Sequence, residues 1–436
     1  MGFSLSGVGS GLDWQSLLEQ LRRVEENQFI KPLERQKKNQ EDVLSAWNTV
    51  STKLSDLLSA VQKIKDTGDF DVFSASLKTS SGVNPENLLT VAVGSGAARG
   101  RFDIQVTQLA KAEKLQSTSV TSASDPTEWT GTITISGQEV SLDGKNLNTL
   151  RDEINSLNTG SNPTGVIASV LKVSDSDYRL ILTSENEGTA GISFTDAAGD
   201  YFSTLQAGVD ASFTIDGIAM TRSSNTITDA IPGVTLQLRG ADANTTITLD
   251  VERDESGITE KIQNFVDAYN GLVKYINEQF SYNALSEKTG GVLFGDATLR
   301  SIKTRLQSTV LDQELFSYGI TFSRSGTLEL NADKFKDALL QDFSGTVSAF
   351  NTMAQGLQSV LNGLTDSLDG TVTMQKKSVQ GKIKSLDDRM QKLEDRIDAD
   401  IERMRARFVA MDKAMSTLNE QMSNLSKLFS SMSQSA

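Results

Sequence analysis

The sequence predicts an α+β multidomain protein in which terminal helices form an α-helical coiled-coil stalk and two β-rich head domains are inserted between them. Apolar residues recur at helical spacing near both ends of the chain, whereas the middle consists of short strand-like runs. At 436 residues the chain is also too long for one ordinary hydrophobic core, so several domains are expected.

Two stretches near the beginning of the chain have the spacing of amphipathic helices. The first carries Trp14, Leu17, Leu18 and Leu21 on one face, and Lys31-Pro32 then predicts a break or restart. The apolar series resumes in steps of three and four residues at Trp47, Val50, Leu54, Leu57 and Val61. This spacing predicts a coiled-coil core.

The last long segment shows the same spacing without interruption to Phe429. Its apolar positions are Ile383, Leu386, Met390, Leu393, Ile397, Ile401, Met404, Phe408, Met411, Met415, Leu418, Met422, Leu425 and Phe429. Only the step from Ile397 to Ile401 breaks the alternation of threes and fours, which predicts a stutter that locally unwinds a supercoil. We assign the residues from Ile383 to Phe408 to the coiled-coil core.

The middle of the chain, from about Val72 to Val251, reads as β structure. Runs such as "RFDIQVTQL", "YRLILTS" and "TTITLDV" are separated by Gly, Asn, Asp and Pro, and "NTLRDEINSLN" predicts one intervening helix. The length of this region favours two domains, one inserted in the other.

The helical stretches at the two ends of the chain need a surface to cover their apolar faces. We expect residues 43–65 to pack against 383–410, so that the chain closes into a stalk. For the outermost turns two partners remain open. They pack either on each other or on other subunits.

The composition excludes several kinds of chemistry. There is no His and no Cys, so a thiol nucleophile, a Cys/His zinc site and a Ser-His-Asp triad are all excluded. Clustered carboxylates such as "DVERDESG" fit a solvated linker better than an EF-hand loop, and "GVGSG" lacks the strand and Lys of a phosphate loop. We expect no enzyme activity, no catalytic residue, no metal and no cofactor.

Charge and hydropathy restrict the partners and the location. The formal net charge is −14, which disfavours nucleic acid. No run of about 18 apolar residues predicts membrane insertion, and "MGFSLSGVGSGLDW" has neither region of a cleaved secretion signal. These rules alone would predict a cytoplasmic protein.

Several blocks, in order along the chain, resemble the family of flagellar filament capping proteins, also called hook-associated protein 2. They begin with "GVGSGLDWQSLLEQL" and "KPLERQKKNQEDVLSAWNTVSTKLSDL" and continue with "DASFTIDGIAMTRSSNTITDAIPGVTLQL" and "FVDAYNGLVKYIN". "LFGDATLRSIKTRL", "GITFSRSGTLELN" and "RFVAMDKAMSTLNEQMSNLSKLF" complete the likeness. The resemblance covers essentially the whole chain.

This resemblance implies a secreted protein, exported by the flagellar apparatus without a cleaved signal peptide, at the distal tip of the bacterial flagellum. The family's role is structural and chaperone-like, because its members help flagellin to insert and prevent the loss of unpolymerised flagellin. The implied partners are other copies of the chain in a ring, most often described as a pentamer, together with flagellin, hook-associated junction proteins and a flagellar export chaperone.

The resemblance also implies a division into four parts. They are a flexible helical leg domain (1–42 and 411–436), a helical coiled-coil domain (43–72 and 256–410), a β-rich head domain (73–128 and 207–255) and an inserted outer β-rich domain (129–206). In the legs, the residues implied to contact the filament are Trp14, Leu17, Leu18, Leu21, Leu418, Met422, Leu425 and Phe429.

Three alternative functions stay open at this point. A hook–filament junction protein or a flagellin-like axial subunit would share the terminal coiled coils. The head domains could act as an adhesin, although no residue identifies a ligand. A carboxylate-dependent hydrolase is the alternative from another class, and it lacks a convincing acid pair.

Overall fold

The computed structural model describes residues 13–197, 199–283, 288–311 and 315–433. The chain divides into two compact units: residues 68–258, here called the β unit, and the residues on either side of them, here called the helical unit. Terminal helices with β-rich sheets between them are therefore observed, as the apolar spacing predicted.

The helical unit begins with α1 (Trp14–Glu25), a π-helical turn (Glu26–Ile30) and α2 (Lys31–Val61). Asp13 caps α1, since its carboxylate accepts a hydrogen bond from the Ser16 N–H at 3.0 Å. The π-turn and α2 continue the same helical path without a loop, so Lys31-Pro32 does not break the chain direction. Pro32 lies in the first turn of α2, where a missing N–H is tolerated.

The β unit is built around two hydrophobic cores. One core includes Leu89, Ile104, Phe213 and Leu236, and the other includes Leu115, Ile133, Leu150 and Leu182. The helix α3 (Leu147–Leu157) contributes to the second core, which confirms the one helix expected in this region.

The strands before α3 are β1 (Phe73–Thr79), β2 (Leu89–Val93), β3 (Gly100–Gln108), β4 (Ala112–Ser117), β5 (Thr132–Ile135) and β6 (Gln138–Ser141). Those after α3 are β7 (Val166–Ser174), β8 (Asp177–Glu187), β9 (Phe194–Asp196), β10 (Phe202–Gln206), β11 (Ala211–Ile215), β12 (Ile218–Arg222), β13 (Thr226–Ile231), β14 (Val234–Leu238) and β15 (Ile247–Arg253).

These strands form four antiparallel sheets. The two sheets that contribute to the first core have the strand orders β1-β15-β3-β11-β12 and β13-β14-β2. Those that contribute to the second core have the orders β10-β4-β8-β7 and β6-β5-β9. Because β4 pairs with β8 and β10, Leu115 belongs to the second core, although it precedes residue 129. The four-part division stays a prediction. It assigns β4 to the head domain (73–128), whereas Leu115 of β4 packs in the second core.

The helical unit resumes within α4 (Glu255–Gln279). It then contains β16 (Tyr282–Asn283), β17 (Lys288–Thr289), α5 (Ala297–Leu311), β18 (Ile320–Phe322), β19 (Leu328–Leu330), α6 (Ala332–Gln341), α7 (Phe343–Thr365) and α8 (Thr371–Ser433). Side chains of α2, α4, α5, α7 and the first turns of α8 form a buried core, with Trp47, Tyr269 and Phe350 among its largest members. None of the helices in the described residues combines the length and the hydropathy that a membrane span requires.

The pairing of α2 with α8 differs from the expected one. Residues 43–65 lie against α7 and the first turns of α8, since Val43 and Trp47 share a cavity wall with Val379 and the Gln355 amide donates to the Lys65 carbonyl at 3.1 Å. The stretch 383–410 instead runs antiparallel beside residues 14–39, since Lys37 pairs with Asp387 and Arg22 pairs with Asp398. The expectation was wrong because α8 begins at Thr371, so its first turns complete the core before the seam at Ile383 is reached.

Candidate functional site

We define the stalk as residues 14–39 with residues 383–408. Ion pairs connect these two segments on the outer surface of the stalk. The Lys37 ammonium lies 2.7 Å from the Asp387 carboxylate, and the Arg22 guanidinium lies 2.8 Å from that of Asp398. The hydrogen bond that the Lys37 ammonium donates to Asp387 raises the pKa of Lys37. Hydrogen bonding to Glu26, followed by the charge of Asp398, raises the pKa of Arg22. The two pairs show that the helices of the stalk run antiparallel.

The interior of the stalk contains few fully buried residues. Leu18, Ile30, Ile397 and Ile401 form one small buried cluster. At the outer end the rings of Trp14 and Phe408 stack, with centroids 4.3 Å apart and an angle of 15° between the planes. The stalk is therefore a two-helix assembly with a thin core.

The residues that we assigned to the coiled-coil core fall into two classes. Trp47, Val50, Leu54, Leu57 and Val61 are fully buried within the helical unit, as are Ile397 and Ile401 in the stalk. The other assigned residues are only half-buried: Ile383, Leu386, Met390, Leu393, Met404 and Phe408. The residues of α2 are supported from several helices, whereas all of the stalk residues, including Ile397 and Ile401, have one partner helix.

The stalk also buries two residues that the sequence-based assignment missed. Ile30 packs in the cluster with Ile397 and Ile401 of α8, and Leu33 is buried as well, although both flank the Lys31-Pro32 pair that predicted a break. The spacing of three between two large aliphatic residues was the available signal.

The outer surface of α1 has an open apolar groove. A cavity of about 340 Å³ is lined by Leu17, Leu18, Gln20, Leu21, Val24 and Phe408. Leu18 is buried and Leu21 half-buried, whereas Leu17 is 48% and Val24 57% exposed. Leu18 therefore supports the stalk, while Leu17 is available to a further partner.

Beyond Phe408, α8 presents an apolar stripe to solvent. The stripe is here defined as Met411, Met415, Leu418, Met422 and Leu425, with Leu418 57% and Met422 67% exposed. Phe429 lies in α8, but its side chain is outside the described residues. Large apolar side chains repeated at coiled-coil spacing and left exposed are typical of an association surface.

Groups with the character of a catalytic site are not brought together in the described ranges. No cluster of three or more Asp or Glu residues there could hold a metal ion. The buried Tyr269 hydroxyl lacks a hydrogen-bond partner among described atoms, and burial raises its pKa. However, its ring packs between Phe265 and Phe322, so this hydroxyl belongs to the core.

Two family models match the chain. The model described as flagellar hook-associated protein 2 C-terminus matches residues 208–420, and the model of the N-terminus of the same protein matches residues 10–113. Both regions include parts of the stalk.

Relatives and a solved structure agree with these models. A flagellar hook-associated protein 2 from Escherichia coli (strain K12) is 30% identical over 384 residues, which cover 78% of each chain. A B-type flagellar hook-associated protein 2 from Pseudomonas aeruginosa is 27% identical over 385 residues, covering 79% of each. The crystal structure of the flagellar cap protein FliD D1-D2-D3 domains from Escherichia coli superposes with a TM-score of 0.61 at 25% identity, covering 77% of this chain and 99% of that one.

Proposed function

The chain belongs to the flagellar hook-associated protein 2 family, and from that premise we propose how its helical ends act at the tip of a filament. Proteins of this family are exported and cap the bacterial flagellar filament at its distal end. The family is structural, and its members associate with each other and with flagellin. The open question is which surface of this chain makes those contacts.

The proposed contact surface consists of the apolar groove on α1 and the apolar stripe on α8. Its main support is the exposure of the stripe, because five large apolar residues in steps of three and four lie outside any core of the described protein. A helix of flagellin, or of a neighbouring cap subunit, would cover such a stripe by coiled-coil packing. Leu17, Leu418, Met422 and Leu425 are thus the proposed contact residues, with Trp14, Leu18 and Leu21 supporting them.

The size of this surface fits a contact that forms and breaks repeatedly. Full burial of one Leu or Met side chain contributes about 1.5–3 kcal/mol, and the stripe residues are already partly covered by their own helix. Association also costs translational freedom and the ordering of side chains. A cap has to move as each flagellin subunit is added, so a small net gain per contact is an advantage.

We further propose that the cap is a ring of identical chains, with a pentamer as the expected size, assembled through head-to-tail contacts that close by rotation. Hook-associated junction proteins and an export chaperone remain proposed partners. Mass measurement of the purified protein, together with negative-stain imaging, determines the size of the ring. Long polymers in place of discrete rings would favour an axial subunit.

The leg contact can be tested in a flagellated bacterium that lacks its own hook-associated protein 2. The cells would express this chain, or the double variant Leu418→Glu/Met422→Glu, together with the flagellin of the chain's own species. We expect the wild-type chain to restore filaments and the variant to release flagellin into the medium. Filament length by electron microscopy and flagellin in the culture supernatant are the measurements.

A matched control places the same charges on the polar side of the same helix. Ser423 and Asn424 are exposed there, and Ser423→Glu/Asn424→Glu should support filament growth like the wild type. Equal loss of growth in both variants would contradict a specific role of the stripe. A wild-type chain that leaves flagellin leaking would contradict the cap function itself.

A further inference from the structure

The apolar face of α1 is one residue out of phase with that of α2. Counting back from Trp47 in steps of four and three leads through Leu33 and Phe29 to four polar residues: Glu26, Arg22, Glu19 and Gln15. The residues that face α8 are instead Leu21, Leu18 and Trp14, each one position earlier. One extra residue therefore lies between the two apolar series.

The π-turn holds this extra residue. The Lys31 N–H donates to the Glu26 carbonyl, five residues back, where an α-helix would use the residue four back. A continuous α-helix through Glu26–Ile30 would turn α1 by about 100° and place Gln15, Glu19 and Arg22 against α8. The π-turn is thus what allows both Leu18 and Leu33 to be buried.

The apolar spacing of the opposite helix changes at the same level of the stalk, although α8 itself is continuous α-helix. The Arg22–Asp398 ion pair places residues 397–401 of α8 beside the end of α1. This is where the step from Ile397 to Ile401 breaks the alternation of threes and fours. The buried cluster of Leu18, Ile30, Ile397 and Ile401 spans both irregularities and joins the outer part of the stalk to the inner part.

We propose that the π-turn Glu26–Ile30, with the altered apolar spacing at Ile397–Ile401 opposite it, is a joint at which the outer part of the stalk, α1 with residues 402–408, changes its angle on the inner part. Each side of the joint keeps its own apolar pairing, because the phase offset is confined to the turn. The carbonyls of the turn can exchange partners four and five residues away, so the extra residue moves along the helix by replacing one hydrogen bond with another. A leg joined in this way can follow an uneven filament end without unfolding.

The joint is tested by deleting Gln28, an exposed residue of the π-turn, in the full chain. The deletion removes the extra residue, so Glu26–Ile30 becomes regular α-helix and both apolar series still face α8. We expect the thermal midpoint to stay within about 2 °C of the wild type, because little packing is lost.

Motion at the joint can be measured with spin labels, since the chain contains no Cys. Labels at Gln20→Cys and Asn48→Cys stand on exposed positions on either side of the turn, roughly 42 Å apart along the helix. We expect a broad distance distribution in the wild type and a narrower one after the deletion of Gln28. Distance distributions of equal width in the wild type and in the deletion variant would contradict the proposed joint.

Deletion of Gln36, which is exposed in the regular part of α2, is the matched control. It shifts Ile30 and Leu33 out of phase, and no neighbouring extra residue compensates for it, so we expect a lower thermal midpoint. A loss of stability after deletion of Gln28 as large as that after deletion of Gln36 would also overturn the proposal. Both measurements use purified protein, so they are independent of the proposed filament contact.

Discussion

The indole of Trp14 and the ring of Phe408 stack at 4.3 Å and mark the last place where α1 and α8 close on each other in the described stalk. Outside this pair, α8 continues as a helix with exposed apolar residues. The stack therefore separates a part of the chain that is stabilised within the molecule from a part that we expect to be stabilised by other molecules.

Replacing Phe408 by Ala should loosen α1 without unfolding the helical unit. A stacked aromatic pair contributes about 0.5–1.5 kcal/mol beyond the area it buries. We expect faster hydrogen exchange at the amides of residues 14–25 and little change at α4. Val409→Ala is the control, because Val409 is exposed on the same turn. Unchanged exchange in α1 would indicate that the stack does not hold the leg.

A chain that ends at Ala410 should unfold at the same temperature as the full chain. The stripe residues removed are largely exposed, so little buried area is lost. Circular dichroism should show the loss of helix expected for the missing turns, and the truncated chain should fail to restore filaments. A marked fall in the thermal midpoint would mean that the stripe belongs to the core, in contradiction to the proposed function.

Alanine substitutions of Trp47 and Leu17 should have different effects: the first lowers the stability of the protein and the second impairs filament assembly. Trp47 is 1% exposed, and Trp47→Ala should lower the free energy of unfolding by about 3–5 kcal/mol through the cavity it leaves. Leu17 is half exposed, so Leu17→Ala should change stability little yet impair filament growth. Denaturant unfolding and filament length are the two measurements, and a Leu17 variant with normal filaments would remove this residue from the contact surface.

The β unit should depend on pH through an ion pair between β12 and β13. The Arg222 guanidinium lies 3.0 Å from the Asp229 carboxylate and lowers the pKa of Asp229 below its ordinary value of 3.8. A lowered pKa contributes stability above pH 3.8 that is lost as the pH falls through the lowered value. The difference in unfolding midpoint between the wild type and Asp229→Asn should therefore shrink on acidification from pH 5. Because both side chains are exposed, the difference itself is small, and a gap that widens at low pH would contradict this assignment.

The sequence was informative wherever one pattern was sufficient to identify an element. Steps of three and four predicted α8 and the buried residues of α2, and alternation predicted the strands of the β unit. Local periodicity does not identify a partner, which explains the wrong pairing of residues 43–65 with 383–410. That pairing depends on where α7 ends and α8 begins.

The junction between α1 and α2 was the least predictable part of the stalk. Lys31-Pro32 suggested a break, but Pro32 is accommodated in the first turn of α2 while the phase is corrected in the preceding π-turn. A π-turn has no sequence signature of its own. It becomes visible only when the apolar series on its two sides are compared in phase.

The continuity of α8 has a mechanical consequence. A single helix of 63 residues, about 95 Å long, leads from the buried core around Val372 and Val379 to the exposed stripe. Since no loop interrupts it, a force applied by an incoming subunit at the stripe is carried along hydrogen-bonded backbone to the residues packed around Trp47. Axial load on the leg thus reaches the core of the helical unit through continuous helix, while the proposed joint opposite Glu26–Ile30 permits bending.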